Sequence, residues 1–256
     1  MTQAYSATGA AWQHGPGRVY DRLAKSLIAE SPVSLEGRTV LDLGAGTGAA
    51  TRAIQAAGGT PIAADLAIGM LQAIAPARPA SAVADASALP FPDHSLDGVI
   101  AAFSLNHVGD PRQAMREAAR VARPGSPLLV SAYAADDHHP VKDAVNAAAA
   151  ELGWRADAWV DELRTTIMPV LATVENAERI VADAGIVTAE VRRVDVAFPD
   201  LVADDLVAWR MGMAQLAPFV AALTSAQRDG LRSRAAELLG AAAPLVRRCV
   251  VIAAVV

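Results

Sequence analysis

Lysine is almost missing from this chain. Lys25 and Lys142 are the only two, arginine carries the remaining positive charge, and the net charge is −5. No basic run stands out, so the electrostatic footprint of a nucleic-acid-binding protein is absent. An Asn/Asp-Pro-Pro-aromatic block for extruded bases is absent too. The one cysteine, Cys249, has no partner for an internal disulfide and sits in an apolar run, which suits a buried, inert thiol and a cytoplasmic setting. No apolar stretch approaches the roughly 20 residues of a membrane span. Residues 1–14 lack a basic region followed by an apolar stretch, so no leader is expected.

What is present is a large apolar content, 53% of 256 residues, enough for one sizeable α/β core with or without a small lid. Apolar runs of strand length at 39–43, 61–65, 82–85, 96–102 and 127–132 alternate with helical patterns at 49–57, 69–74 and 111–122. That rhythm predicts a parallel sheet with helices on both faces, which binds its ligand beyond the carboxyl ends of the strands. After residue 132 the rhythm changes. Residues 136–185 read as helical, with breaks at Gly153 and Pro169. A strand is expected at 187–198, helices at 204–239 broken at Pro218, and a last strand at 249–256. The expected organisation is one domain: a cap at 1–37, irregular at first and helical from Val19, a core at 38–132, and helical insertions at 133–186 and 199–245 that form a lid on the acceptor side.

The chemistry concentrates in VLDLGAGTG at 40–48, where an apolar strand turns through glycines into a helix. Glycine permits close approach of a ligand, and free amides at a helix start favour a carboxylate or phosphate. Gly44, Gly46 and Ala49 match G-x-G-x-x-G/A, which by itself also suits a dinucleotide. Three acids change the balance. Asp42 would repel a pyrophosphate beside the loop and attract an amino-acid ammonium. Asp65, ending the second strand, can accept from ribose hydroxyls. Asp85, placed at the end of the third strand, can accept from an adenine amino group. Each has a plainer reading: Asp42 as a partner for loop amides, Asp65 as a helix cap, Asp85 as a turn cap.

In order along the chain, VLDLGAGTG at 40–48, ADLAIGML at 64–71, DASALPFP at 85–92, SLDGVI at 95–100 and AARVARPG at 118–125 resemble the class I S-adenosylmethionine-dependent methyltransferases, in particular the small-molecule group. The resemblance covers roughly 38–132. Leu96, where an aromatic is common, and Ser126, where a second glycine is common, depart from it. It implies a doubly wound, mostly parallel, seven-stranded Rossmann-like sheet with S-adenosyl-L-methionine as cofactor and a small-molecule acceptor. It implies that Gly44, Ala45 and Gly46 pass the methionyl part and that Asp42 faces the ammonium. Asp65 would hold both ribose hydroxyls, Leu66 and Met70 would flank the adenine, and Asp85 with Ala86 would meet its edge. Phe103 would line the reacting end. In relatives the N-terminal segment, here with Tyr5, Trp12, Arg18 and Tyr20, often folds over the cofactor, so that Tyr20 contacts the methionyl carboxylate or closes the pocket.

Methyl transfer is a displacement in which the protein orients the acceptor, and a base is needed only for an acceptor that keeps its proton. His107, after the fourth strand, is the candidate base; ordering its loop or contacting the cofactor is the alternative. Asp136, Asp137, His138 and His139 stand together, but without regular ligand spacing they read as a solvated loop, and no metal is expected. Trp154, Trp159, Trp209, Met211, Met213 and Phe219 suit either an apolar acceptor pocket or simple core packing. Two other readings stay open: a protein that binds S-adenosylmethionine without methylating, and a nicotinamide oxidoreductase, although no Tyr-x-x-x-Lys pair is present. A homodimer through the insertions is a further expectation; nucleic acid and membrane are not expected partners.

Overall fold

The computed structural model describes residues 2–6, 8–73 and 79–256. Three helices open the chain: α1 (Thr2–Ser6), α2 (Gly9–His14) and α3 (Gly17–Ala29). The core follows as β1 (Thr39–Leu43), α4 (Ala49–Ala56), β2 (Thr60–Asp65), α5 (Ile68–Ala73), β3 (Ala80–Val83), β4 (Gly98–Ala102), α6 (Pro111–Val121) and β5 (Pro127–Tyr133). Then come α7 (Val141–Glu151), α8 (Ala158–Glu162), a π turn (Leu163–Ile167), a 3-10 turn (Met168–Leu171) and α9 (Val174–Asp183). The chain closes with β6 (Thr188–Phe198), α10 (Ala203–Met211), α11 (Ala217–Ala222), α12 (Ser225–Leu239) and β7 (Leu245–Val255).

The seven strands form one sheet in the order β3-β2-β1-β4-β5-β7-β6. The first five pair in parallel, and β7 runs antiparallel to both β5 and β6. The central strands are buried on both faces, and alternate side chains feed two cores. Val40, Ile100, Leu129 and Val251 meet α3, α4, α7, α10 and α12 on one face. Leu41, Val99, Leu128 and Ile252 meet α6 and α9 on the other. Strand order reverses between β1 and β4, and a crevice opens there at the carboxyl ends of the strands.

Helix starts are chemically marked. Asp110 accepts from the Gln113 amide ahead of Pro111, Thr173 accepts from Asn176, and Thr224 with Gln227 makes a capping box. Pro218 therefore sits in the first turn of α11, and Pro169 within a 3-10 turn, so neither acts as a simple break. The expected irregular start is instead helical from Thr2. The third strand stops at Val83, short of Asp85, and the last begins at Leu245, earlier than expected. The helix expected at 69–74 spans Ile68–Ala73, and position 74 lies outside the described residues. The two insertions do not stand apart from the sheet: α7, α10 and α12 pack together on one face, and α9 packs with α6 and β6 on the other.

Behind β5 the Arg247 guanidinium bonds Asp137 at 2.6 Å, with the two side chains only 2% and 3% exposed. It lies 3.9 Å from the Tyr133 ring centre and 4.9 Å from that of Trp209. Cys249 is buried nearby and its thiol is pushed up to about 12 by burial, which leaves it unreactive. Asp137→Ala would leave the guanidinium buried without counter-charge. We expect it to cost about 3–5 kcal/mol of unfolding free energy, read as a lower urea midpoint; a loss under about 1 kcal/mol would put the pair with solvent-screened ones.

Candidate functional site

The chain leaves β1 through Gly44, Gly46 and Gly48, all in the left-handed region. Gly44 is constrained twice. Its φ of 72° disfavours a side chain, and a Cβ there would come within 2.2 Å of the Ser104 Cβ. Ser104 in turn donates its hydroxyl to the Leu43 carbonyl at 2.6 Å, so the loops after β1 and β4 are fastened to each other.

Asp65 terminates β2, and both its oxygens are engaged: one accepts the Gly46 amide at 2.8 Å, the other the Ala67 amide at 2.7 Å. Burial raises its carboxyl and these two amides oppose the rise. Asp42 is 1% exposed and accepts the Thr51 hydroxyl of α4 at 2.6 Å. Burial pushes its carboxyl up to about 7. The loop amide that the sequence offered to Asp42 goes to Asp65 instead. Asp85 stands on an exposed turn, where one oxygen accepts both the amide and the hydroxyl of Ser87, which lowers its carboxyl. Its Oδ2 has no partner among the described residues.

These groups surround one cavity of about 310 Å³. The residues expected to bind the cofactor, Tyr20, Asp42, Gly44, Ala45, Gly46, Asp65, Leu66, Met70, Asp85, Ala86 and Phe103, all line it, and so does the candidate base His107. Leu66 leaves 50% of its surface uncovered, whereas Met70 is buried. Phe103 takes a left-handed φ of 55° and stacks 4.5 Å from Tyr133, with Tyr20 edge-on at 6.0 Å. Trp12 lies 5.1 Å from Tyr20.

Sequence reasoning noted Tyr5 and Trp12 without placing them in the site, yet both line the cavity, as does Thr2. The signal was there: aromatic side chains at the start of an aromatic-poor chain. Tyr5 brings its hydroxyl to 3.1 Å from Nδ1 of His107. His107 is pushed down to about 4 by burial, so its ring is neutral at physiological pH and a weak base. No cavity-lining residue comes from the two insertions. Trp209, Met211 and Met213 are buried in the core, and Trp159 only approaches the cap, 6.3 Å from Tyr5. Arg18 is engaged on the surface with Asp200 and Asp205.

The loop after β5 is solvated at Asp136 and His138, as expected, but not at Asp137 and His139. His139 is buried between the Val141 amide and the Ala243 carbonyl, and Asp137 is held by Arg247. Asp136 pairs with Arg193 and His138 approaches Asp143, so the four side chains point to different partners. Among the described residues no group of three could hold a metal ion, and no helix is long and apolar enough to cross a membrane.

Residues 41–130 match the family described as methyltransferase domain. Demethylmenaquinone methyltransferase of Mycolicibacterium paratuberculosis is 36% identical over 133 residues, 52% of this chain and 56% of that protein. The match thus spans about half the length of the curated relatives. Among solved structures, a methyltransferase in complex with the Haloferax volcanii Trm112 methyltransferase activator is 21% identical with a TM-score of 0.59, covering 100% of this chain and 97% of that one. Phosphoethanolamine N-methyltransferase 2 of Haemonchus contortus, in complex with phosphomonomethylethanolamine and S-adenosylhomocysteine, is 21% identical with a TM-score of 0.56, covering 91% of this chain and 52% of that one. At that identity the likeness establishes the fold.

The Asp42 carboxyl keeps its proton to about pH 7 in the folded protein but ionises near 3.8 at its ordinary value. The folded state binds that proton more tightly, so stability is highest with the proton on and falls as pH rises from about 4 to about 7. Asn at this position can still accept from Thr51 but cannot ionise. We expect Asp42→Asn to match the parent near pH 4 and to exceed it at pH 8 by on the order of 4 kcal/mol. Urea denaturation across that range tests it; parallel pH profiles would show an Asp42 carboxyl with its ordinary acidity.

Proposed function

We propose, on the premise that residues 41–130 belong to the class I S-adenosylmethionine-dependent methyltransferases, that this protein transfers a methyl group from S-adenosyl-L-methionine to a small-molecule acceptor. One observation carries the reading: Asp42, Asp65 and Asp85 line a single cavity with the glycine turn of β1, at the switch point of the sheet. The cavity suits the group on its own terms. A glycine turn approaches it without side chains, and a half-uncovered leucine beside a buried methionine offers an apolar surface of the kind an adenine ring covers. The sulfonium, when bound, supplies an activated methyl carbon and its own leaving group.

The chain's part is to bind and orient. Asp42 takes the ammonium, whose positive charge relieves an acid that burial otherwise keeps protonated. Asp65 accepts from the ribose hydroxyls with the lone pairs left after its two amides, since a carboxylate has about four acceptor sites. Leu66 and Met70 flank the adenine, and Asp85 accepts from its amino group, with Ala86 beside it. Gly44, Ala45 and Gly46 pass the methionyl part, with Tyr20 and Phe103 near the reacting end. The acceptor side is the cap, residues 2–20, whose aromatic side chains Tyr5, Trp12 and Tyr20 line the cavity. The first insertion supports that cap through Trp159. A net charge of −5 fits a small molecule better than nucleic acid.

Calorimetric titration with S-adenosylmethionine, S-adenosylhomocysteine and NADH tests the reading. We expect micromolar binding of the two sulfur ligands and at least a tenfold loss in Asp65→Ala, about 1.4 kcal/mol or more. Thermal unfolding of the variant checks that it folds. Binding of NADH alone would overturn the proposal and make the glycine turn a dinucleotide site.

A further inference from the structure

His107 ends the 3-10 turn Leu105–His107 that follows β4, and its ring lines the cavity. Tyr5 meets it edge-on, with ring centres 5.8 Å apart and planes at 78°, and the Tyr5 hydroxyl is 3.1 Å from Nδ1. Among the described residues no other group bonds that hydroxyl, and none bonds Nε2. Burial holds both rings uncharged. The phenol is raised by burial and further by Tyr20 and Asp65. The imidazole is pushed down by burial, and no charged neighbour counters it.

A neutral imidazole has one N–H and one bare nitrogen. Among the described residues Nδ1 is the one acceptor within reach of the Tyr5 hydroxyl, and a proton donated there satisfies the phenol. The bare nitrogen is therefore Nδ1, and the ring's own N–H is at Nε2. We infer that Tyr5 locks His107 in the Nε2–H form, and that this N–H orients the acceptor by donating to an oxygen that carries lone pairs only: a carbonyl, a phenolate or an enolate. This rests on the methyl-transfer reading and narrows its substrate class. It also replaces the base role that the sequence offered for His107. A base at Nε2 would need the proton on Nδ1, donated to a firm acceptor such as a carboxylate, and Nδ1 faces a phenol instead. An acceptor that arrives as a phenolate or enolate supplies the electron pair for the new bond to the methyl carbon. When that pair lies on the oxygen, the pair of the broken S–C bond stays on sulfur, and no proton is left for the protein to remove. An alcohol, which must lose its proton to the protein, does not fit.

The full-length protein labelled with ¹⁵N-histidine, studied by long-range ¹H–¹⁵N correlation NMR, reads the tautomer without any acceptor; His107→Gln assigns the signal. We expect a neutral Nε2–H pattern from pH 5.5 to 8, and a mixed or shifted pattern in Tyr5→Phe. An Nδ1–H pattern, or titration near the ordinary histidine value, would overturn the inference. For the oxygen contact the probe is 4-nitrophenolate, titrated by its absorbance into protein loaded with S-adenosylhomocysteine. We expect about tenfold weaker binding in His107→Leu, which loses the donor, and recovery of most of it in His107→Gln, which keeps one. Equal loss in both variants would reduce His107 to packing and sink the contact. Failure of S-adenosylhomocysteine to bind the parent protein would count against the cofactor reading, while the tautomer result would stand by itself.

Discussion

The site depends on one carboxylate. Asp65 ends β2, but its two oxygens reach sideways, one to the Gly46 amide in the turn after β1 and the other to the Ala67 amide just ahead of α5. A turn built on left-handed glycines has little stiffness of its own. Charge-assisted bonds from a buried acid supply it, because such bonds are stronger than neutral ones and water competes poorly for them. The same acid thereby fixes the start of the helix that carries Met70. Two walls of the cavity, from two different strands, are registered through one side chain.

That arrangement leaves the cavity electrostatically unfinished. Asp42 and Asp65 are both raised by burial, and among the described residues their hydrogen-bond partners are a hydroxyl and amides, not a cation. Burial disfavours the ionised form of each, Asp42 above all, while the two amides on Asp65 oppose that effect. The proposed ligand, which carries its own cation beside hydroxyl and amino donors, would complement these acids. Elsewhere one buried charge is neutralised in place, Arg247 by Asp137, whereas buried Arg210 is held by the amide oxygens of Asn146 and Gln215.

The sheet was legible because its signals are local: strand-length apolar runs, glycines at one turn, an acid where each of the first two strands stops. Every residue chosen from those signals lines the cavity. What escaped was set by partners distant in sequence. Asp85 was read as ending a strand, yet β3 stops at Val83 because the chain turns to let Ser87 fold back on the Asp85 carboxylate. The acids and histidines after β5 looked like one solvated cluster, but Arg247, 110 positions away, takes Asp137 into the core. The largest omission was Tyr5, whose role lies in a bond to His107 across 102 positions, and no periodicity reports such a contact.

The cap shows how the two ends of the cavity are linked. It meets α5 through backbone: a Cβ on Gly69 would come within 2.0 Å of the Ser6 carbonyl oxygen, and one on Gly9 within 2.7 Å of the Gly69 carbonyl. At that distance any side chain at 69 must push α1 away, because a carbonyl in a helix has nowhere to yield. Ser6 adjoins Tyr5, and Gly69 adjoins Met70. The contact that seats the cap therefore lies one residue from the tyrosine paired with His107 and one residue from Met70 in the cavity wall. The seating of the cap and the seating of α5 are thus a single packing problem, and glycine at 69 is what permits its solution.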